Sequence, residues 1–256
     1  MKQIFSAVFE SVWKRKETKI FLLFSLYPLV YWVASLFGDS NFMQITNSGN
    51  SKVGYLDFAD MILNSMDTMI LPTLALYFLT ISVFRRETDD HTMFMYKDIN
   101  RKNIFLSKYF SLLLILLVYF GIFLLSSLVV HYTRVVHMDF GTTRFLSENT
   151  YYTFLGLQSI FVIFLKGVLS ISVSAFISLR FGTGTTMITG IGLSVVMMIT
   201  SIVGGPIATL FPNGYSQFTT TVNNAWIGLV GPTMLTMFYS IILSLFGLKK
   251  FNSMEY

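Results

Sequence analysis

The chain has 256 residues, of which 54% are hydrophobic and only 12% charged, and its mean hydropathy is +0.64. Soluble domains carry about 25% charged residues, so a water-soluble globular enzyme is excluded, and at ~20 residues per membrane span no additional large soluble domain fits beside the spans. The absence of cysteine excludes a disulfide framework, a thiolate metal site and a cysteine nucleophile; the net charge of +5 reads as an orientation signal rather than a nucleic-acid surface.

Residues 2–16 (KQIFSAVFESVWKRK) place Ile4, Phe5, Val8, Phe9, Val12 and Trp13 at helical spacing, with Gln3, Ser6, Glu10, Ser11 and Lys14 on the other side. This predicts an amphipathic helix lying in the headgroup plane with Trp13 at the interface. The alternative is a solvated leader with no role beyond anchoring.

Residues 20–38 carry no charge and form the first predicted span. A signal-peptide core is the competing reading, but 19 residues exceed the usual stretch of about 7–15 and no small-x-small cleavage site follows. An outer loop over 39–64 ends in a short surface helix, and the second span covers 65–84. After a polar cytoplasmic segment at 85–107, the third span runs over 108–130, and the fourth over 152–178 with Lys166 as its one charge. The 68 residues from 181 to 248 are uncharged, too many for one helix, and are divided by the breaker-rich GGPIATLFPNGYSQFTTTVNN. Spans five and six are therefore placed at 185–204 and 229–248, around an outer segment at 205–228 that dips into the membrane.

The predicted fold is a single all-α permease-like domain over 1–256, with six spans, an N-terminal interfacial helix and both termini cytoplasmic. Charge supports it independently: 14 of the 18 Lys and Arg residues fall on the side of the termini, and only Lys52, Arg134 and Arg144 on the other.

No G-x-x-x-x-G-K-[ST] phosphate loop, nucleophile elbow or H-E-x-x-H pair occurs. His91, His131 and His137 lie in loops or at a span edge without metal-site spacing. Catalysis, a bound metal and a cofactor are not expected in this chain.

The segment 85–107 has an apolar centre, Met93, Phe94, Met95 and Tyr96, set among charges. Four adjacent apolar side chains in a charged cytoplasmic loop need a surface to cover them. That surface is either the membrane interface or a partner protein.

The layout of interfacial helix, six spans and polar segment between spans two and three resembles a permease of the type-2 ABC transporter family. Glu87 after span two, His91-Thr92 where family members commonly have a Gly-Thr-like pair, the patch Met93 to Tyr96, and Asp98 to Lys108 leading into span three carry the local likeness. GPIATLFPNGY is similar to the re-entrant outer segment of such permeases. His91 departs from the usual glycine, the residue on which the local turn of the family depends.

The resemblance implies a coupling helix within 88–98 that docks on a separate ATP-binding subunit, with ATP and Mg held by that subunit. Met93, Phe94 and Tyr96 suit the role of anchors, and Asp89, Asp90, Lys97 and Asp98 that of register-setting charges. It also implies a second permease copy or paralogue and a location in a bacterial cell membrane. Short, basic, Phe-rich permeases of this kind export antimicrobial or toxic amphipathic peptides, including in self-immunity.

Within the spans, Lys166, Asp67 and Gln158 are candidates for the translocation route. An ammonium at mid-span costs ~2.5–3.5 kcal/mol on insertion scales, which is offset by a cavity, by an acid such as Asp67, or by snorkelling. Gly190, Gly192 and Ser194 form a small-residue face for close helix contact, at a homodimer seam or inside the subunit. A gradient-driven secondary carrier, or a sensor or scaffold whose loop recruits a partner, is the alternative function.

Overall fold

The computed structural model describes residues 2–36, 52–86, 100–219, 221 and 224–253. The expected coupling helix, 88–98, and the first part of the outer loop lie outside the described residues. Helices run in the order α1 (Lys2–Trp13), α2 (Lys16–Phe24), α3 (Pro28–Ala34), α4 (Tyr55–Thr68), α5 (Leu71–Phe84), α6 (Arg101–Thr133), α7 (Thr150–Ser178), α8 (Thr183–Val203), α9 (Gly205–Ala208) and α10 (Ala225–Asn252). Short 3₁₀ turns cover Val135–His137 and Pro212–Phe218. No strand occurs among the described residues, and one parallel bridge joins Val53 to Gly141.

The protein is an all-α membrane protein by this architecture. Four helices, α6, α7, α8 and α10, are each long and apolar enough to cross hydrocarbon, and α4 with α5 makes a fifth candidate bent by 66°. The core is built mainly by α4, α5, α6 and α7, with Phe58, Ile62, Leu79, Leu112, Ile115, Phe123 and Ile171 fully buried. Asn100 opens α6 by accepting from the Lys102 amide at 3.0 Å, and Asn149 opens α7 by accepting from the Tyr151 amide at 2.9 Å. Across the seams, Tyr109 meets the Ser172 hydroxyl at 2.7 Å, and Ser172 donates to Ser240 at 3.0 Å, tying α6, α7 and α10 together. In hydrocarbon such bonds hold helices where burial gives no preference.

Two expected spans are interrupted, each at a proline. The stretch 20–38 becomes α2 and α3, joined by a tight turn whose amides reach back only three residues, Ser25 to Leu22 and Tyr27 to Phe24. Pro28 has no N–H to donate to Phe24, so the regular ladder cannot run through. Neither piece, nine and seven residues, is long enough alone to cross. The stretch 65–84 is likewise not one helix: α4 starts at Tyr55 and ends at Thr68, and α5 begins only at Leu71. Pro72 removes the amide that would bond Thr68, and Ile70 turns the chain with φ 59° and ψ −25°. A left-handed β-branched residue is strained, and the bend depends on it. The last span is longer than expected at both ends, Ala225–Asn252, and the one before it falls within two residues of its expected bounds; Gly204 and Gly205 (φ 68° and 77°) stop α8 where a side chain would be strained.

The helix ends gather at two poles. At one, Arg15 donates to the carbonyl and hydroxyl of Ser82, Arg85 to the carbonyls of Ser178 (3.3 Å) and Phe181, and Arg101 to the carbonyl of Asn252 (3.0 Å). These guanidinium groups satisfy carbonyls in or just past the last turns of α5, α7 and α10, which have no helical partner and carry partial negative charge. At the other pole, Arg134 binds Ser35 through its carbonyl (2.6 Å) and hydroxyl (3.0 Å), Tyr55 donates its amide to Arg144 (3.0 Å), and Tyr151 donates its hydroxyl to Thr219 (2.9 Å). Helix α1 lays Val8, Phe9 and Val12 on the core and leaves Trp13 exposed. An exposed Lys14–Glu10 pair at 2.5 Å holds the Glu10 carboxyl below the usual carboxylate range, through hydrogen bonding first and charge second.

Gly190 packs inside the chain: an added Cβ would sit 2.7 Å from the Tyr77 ring. Gly192 faces outward with nothing within 4 Å of such an atom, and Ser194 bonds the Gly190 carbonyl at 2.8 Å. Gly190→Ala is expected to lower stability by ~1–3 kcal/mol through overpacking, whereas Gly192→Ala is neutral or stabilising by up to about 1 kcal/mol. Melting of the two variants in one detergent checks the pair. At Ile70, Gly should be more stable than Ala by ~1–2 kcal/mol, the cost of a left-handed L-residue; equal melting temperatures would remove the strain from the account.

Candidate functional site

A cavity of about 400 Å³ lies where α4, α5, α6, α7, α8 and the Pro212–Phe218 turn meet. The bend at Ile70 opens it: α4 leans away from the line of α5 and leaves space in front of α7. Asp67 occupies the last turn of α4, and Lys166 sits mid-way along α7. They meet in an ion pair with Lys166 Nζ 2.5 Å from Asp67 Oδ2, the side chains only 15% and 20% exposed. The lysine ammonium thus ends on a carboxylate rather than at the headgroups. Gly167, the next residue, lets Leu116 of α6 pack where a Cβ would come within 2.9 Å, so α6 and α7 close tightly behind the pair.

The rest of the lining divides by chemistry. Asp60, Asn64 and Asp67 stand at helical spacing i, i+4, i+7 on one face of α4. The Asn64 amide donates to Asp60 Oδ1 at 2.8 Å and to the Ser159 hydroxyl at 2.9 Å, clamping α4 to α7. Opposite are Phe21, Tyr119 and Phe120, with Phe21 stacked on Tyr119 at 4.4 Å between ring centres. Tyr119 donates to the Met66 sulfur at 3.6 Å. Met197, Met198 and Ser194 of α8 close the third side.

Gln158 lies in the wall, 3% exposed, with neither amide atom hydrogen-bonded. Its amide packs over Gly228, where a Cβ would be 2.2 Å from Nε2, and beside Thr219, whose buried hydroxyl is also unpartnered. Asn213 donates to the Met197 carbonyl at 2.6 Å and leaves its own oxygen unpartnered. Buried polar atoms of this kind normally have a partner, so this wall is built from polar groups not fully satisfied in the conformation described.

The structure therefore places Lys166, Asp67 and Gln158, the expected route candidates, in one cavity lining together with Ser194, which the sequence offered only as part of a packing face. Gly190 is one turn away, and Gly192 is not part of the site. Glu87, Asp89, Asp90, His91, Met93, Phe94, Tyr96, Lys97 and Asp98 lie outside the described residues. Sequence reasoning missed Asp60, Asn64, Ser159 and Asn213. The spacing of Asp60, Asn64 and Asp67 was a usable signal for the first two, but reading 39–64 as outer loop hid it.

Comparison of the chain with protein-family models, with curated proteins and with solved structures gives no match.

Breaking a fully buried pair by removing one partner costs ~3–5 kcal/mol, and the partial exposure here reduces that to roughly 1–3 kcal/mol. Lys166→Met and Asp67→Asn should each destabilise by that amount, and the two together should cost clearly less than the sum of the single changes. Thermal unfolding of the three variants in the same detergent tests it, and strict additivity would mean that the two groups do not interact.

Proposed function

We propose that this chain is the transmembrane subunit of an ATP-driven exporter of the type-2 ABC kind, and that the cavity around Lys166 and Asp67 is part of its translocation route. The observation that carries the route is the ion pair itself, two ionisable side chains held inside a membrane bundle beside space for a ligand. Intramembrane charges are costly and mark substrate or ion pathways by default. The ABC assignment rests on the resemblance in layout and in residues 85–107.

The proposed topology has six crossings with both termini in the cytoplasm of a bacterial cell. Support comes from the two poles: Arg15 and Ser35 bracket α2 and α3 and bond to opposite poles, as expected for a crossing broken at Pro28. Met93, Phe94 and Tyr96 dock on a separate ATPase, which binds ATP and Mg, and a second permease copy or paralogue completes the route. Closure of the ATPase pair moves the segment between α5 and α6, and the helices around the cavity rearrange to release an amphipathic peptide outward.

A gradient-driven carrier is the second reading, and the same ion pair favours it, since coupled carriers use intramembrane acids and bases. Copurification separates them. For the exporter, an ATPase subunit copurifies, Phe94→Asp abolishes its binding, and Lys166→Met leaves assembly intact while changing cargo-stimulated ATP turnover by roughly tenfold. A chain that purifies alone and transports on a proton or sodium gradient would overturn the exporter reading.

A further inference from the structure

The cavity lining contains three formally charged side chains, Asp60, Asp67 and Lys166. Lys166 is committed to Asp67 at 2.5 Å. Asp60 makes no ion pair among the described residues: its side chain accepts from the neutral Asn64 amide at 2.8 Å, with the neutral Ser159 hydroxyl also beside it. The site therefore holds two carboxyl groups to one ammonium, with Asp60 half-buried on α4 beside Ser159 of α7. At the low effective dielectric of a helix bundle, an uncompensated carboxylate creates a field that a bound cation relieves.

The other walls suit the body of such a ligand. Phe21, Tyr119 and Phe120 present aromatic rings, whose faces attract a cation as well as an apolar group. Met66, Met197 and Met198 add adaptable, polarisable surface. The volume, about 400 Å³, is that of a site for one compact small-molecule-sized body. A whole peptide does not fit.

We infer that this cavity binds a monovalent ammonium or guanidinium group carried on an apolar body, with Asp60 as its counter-ion and the Phe21, Tyr119 and Phe120 rings around the apolar part. The inference rests on reading the cavity as the substrate route, and it names the chemistry that the route selects. The pair Lys166–Asp67 sets the charge balance: with Lys166 in place the site accepts one positive charge, and an anion meets two carboxylates.

The test uses the full-length purified chain in nanodiscs of neutral lipid, without an ATPase, and three probes of nearly equal shape: phenethylamine, phenethyl alcohol and phenylacetate. Ligand-observed NMR titration gives a Kd for each. The amine is expected to bind at least about tenfold more tightly than the alcohol or the carboxylate, an electrostatic preference of the size that one desolvated charge pair supplies. Asp60→Asn should abolish the preference, and Lys166→Met, which frees Asp67, should tighten amine binding severalfold. Displacement of the amine by a blocked Phe-Lys dipeptide points to the cationic side chain of a peptide cargo, and its absence to a free amine; either keeps the cation site.

Equal binding of the three probes by the wild-type chain overturns the inference, as does tighter binding of phenylacetate, and neither result depends on a variant folding. Phe94→Asp separates the two readings. A chain that copurifies with an ATPase but shows no cation preference loses this inference alone. One that prefers the amine through Asp60 but recruits no ATPase loses the exporter reading alone.

Discussion

An ammonium and a carboxylate placed inside an apolar bundle need each other, and much of this architecture follows from that requirement. Lys166 lies about half-way along the 29-residue helix α7, far from either end. Its partner must come from another helix at the same depth. Asp67 reaches it only because α4 stops at Thr68 and α5 departs at 66°. A straight helix through 55–84 would carry Asp67 along a different line. The strained Ile70 and the amide-free Pro72 are thus structural conditions for the ion pair, and the ion pair in turn offsets part of their cost.

The same bend accounts for the cavity. Where two helices pack along their whole length, side chains fill the gap to crystal-like density. Here α4 diverges from α5, and the wedge between α4, α7 and α8 is lined by polar and aromatic groups without being filled. Unsatisfied atoms of Gln158, Asn213 and Thr219 border this region, whereas the seam between α6, α7 and α10 is sealed by Tyr109, Ser172 and Ser240. Orphaned polar atoms also occur away from the cavity lining, at Tyr77 and Thr236 for example, so those of Gln158 and Asn213 are set apart by lying in its wall. In hydrocarbon an orphaned atom matters more than in water, because no solvent substitutes for a missing partner.

Much of this was legible from composition and periodicity, for a physical reason. Helices in lipid satisfy their own backbone, so charge-free length is enough to find α6, α7, α8 and α10. The pairing of Lys166 with Asp67 was also within reach, as few acids were available at that depth. What sequence reading lost depends on local backbone geometry. Hydropathy is blind to Pro28 and Pro72, which leave the apolar character intact while breaking the ladder. Sequence reading also placed the short helix before span two at the surface, because Asp57, Asp60 and Asn64 give it a polar face, although Phe58, Ile62 and Leu63 are fully buried. An amphipathic helix with its polar face on a cavity has the same composition as one with its polar face on water. Only the packing of both faces separates the two.

The clustering of arginine at one pole has a second explanation beside orientation. Positive charge on the inner side is usually treated as a signal read during insertion. In this fold, Arg15, Arg85 and Arg101 also bond carbonyls near the ends of α5, α7 and α10, each reaching from a different part of the chain. Helices that finish at the same pole all present unsatisfied carbonyls and the negative ends of their dipoles there. Cations at that pole therefore lower the energy of the folded bundle. Arg85 and Arg101 stand at the two ends of the segment between α5 and α6, and their contacts tie those ends to α7 and α10.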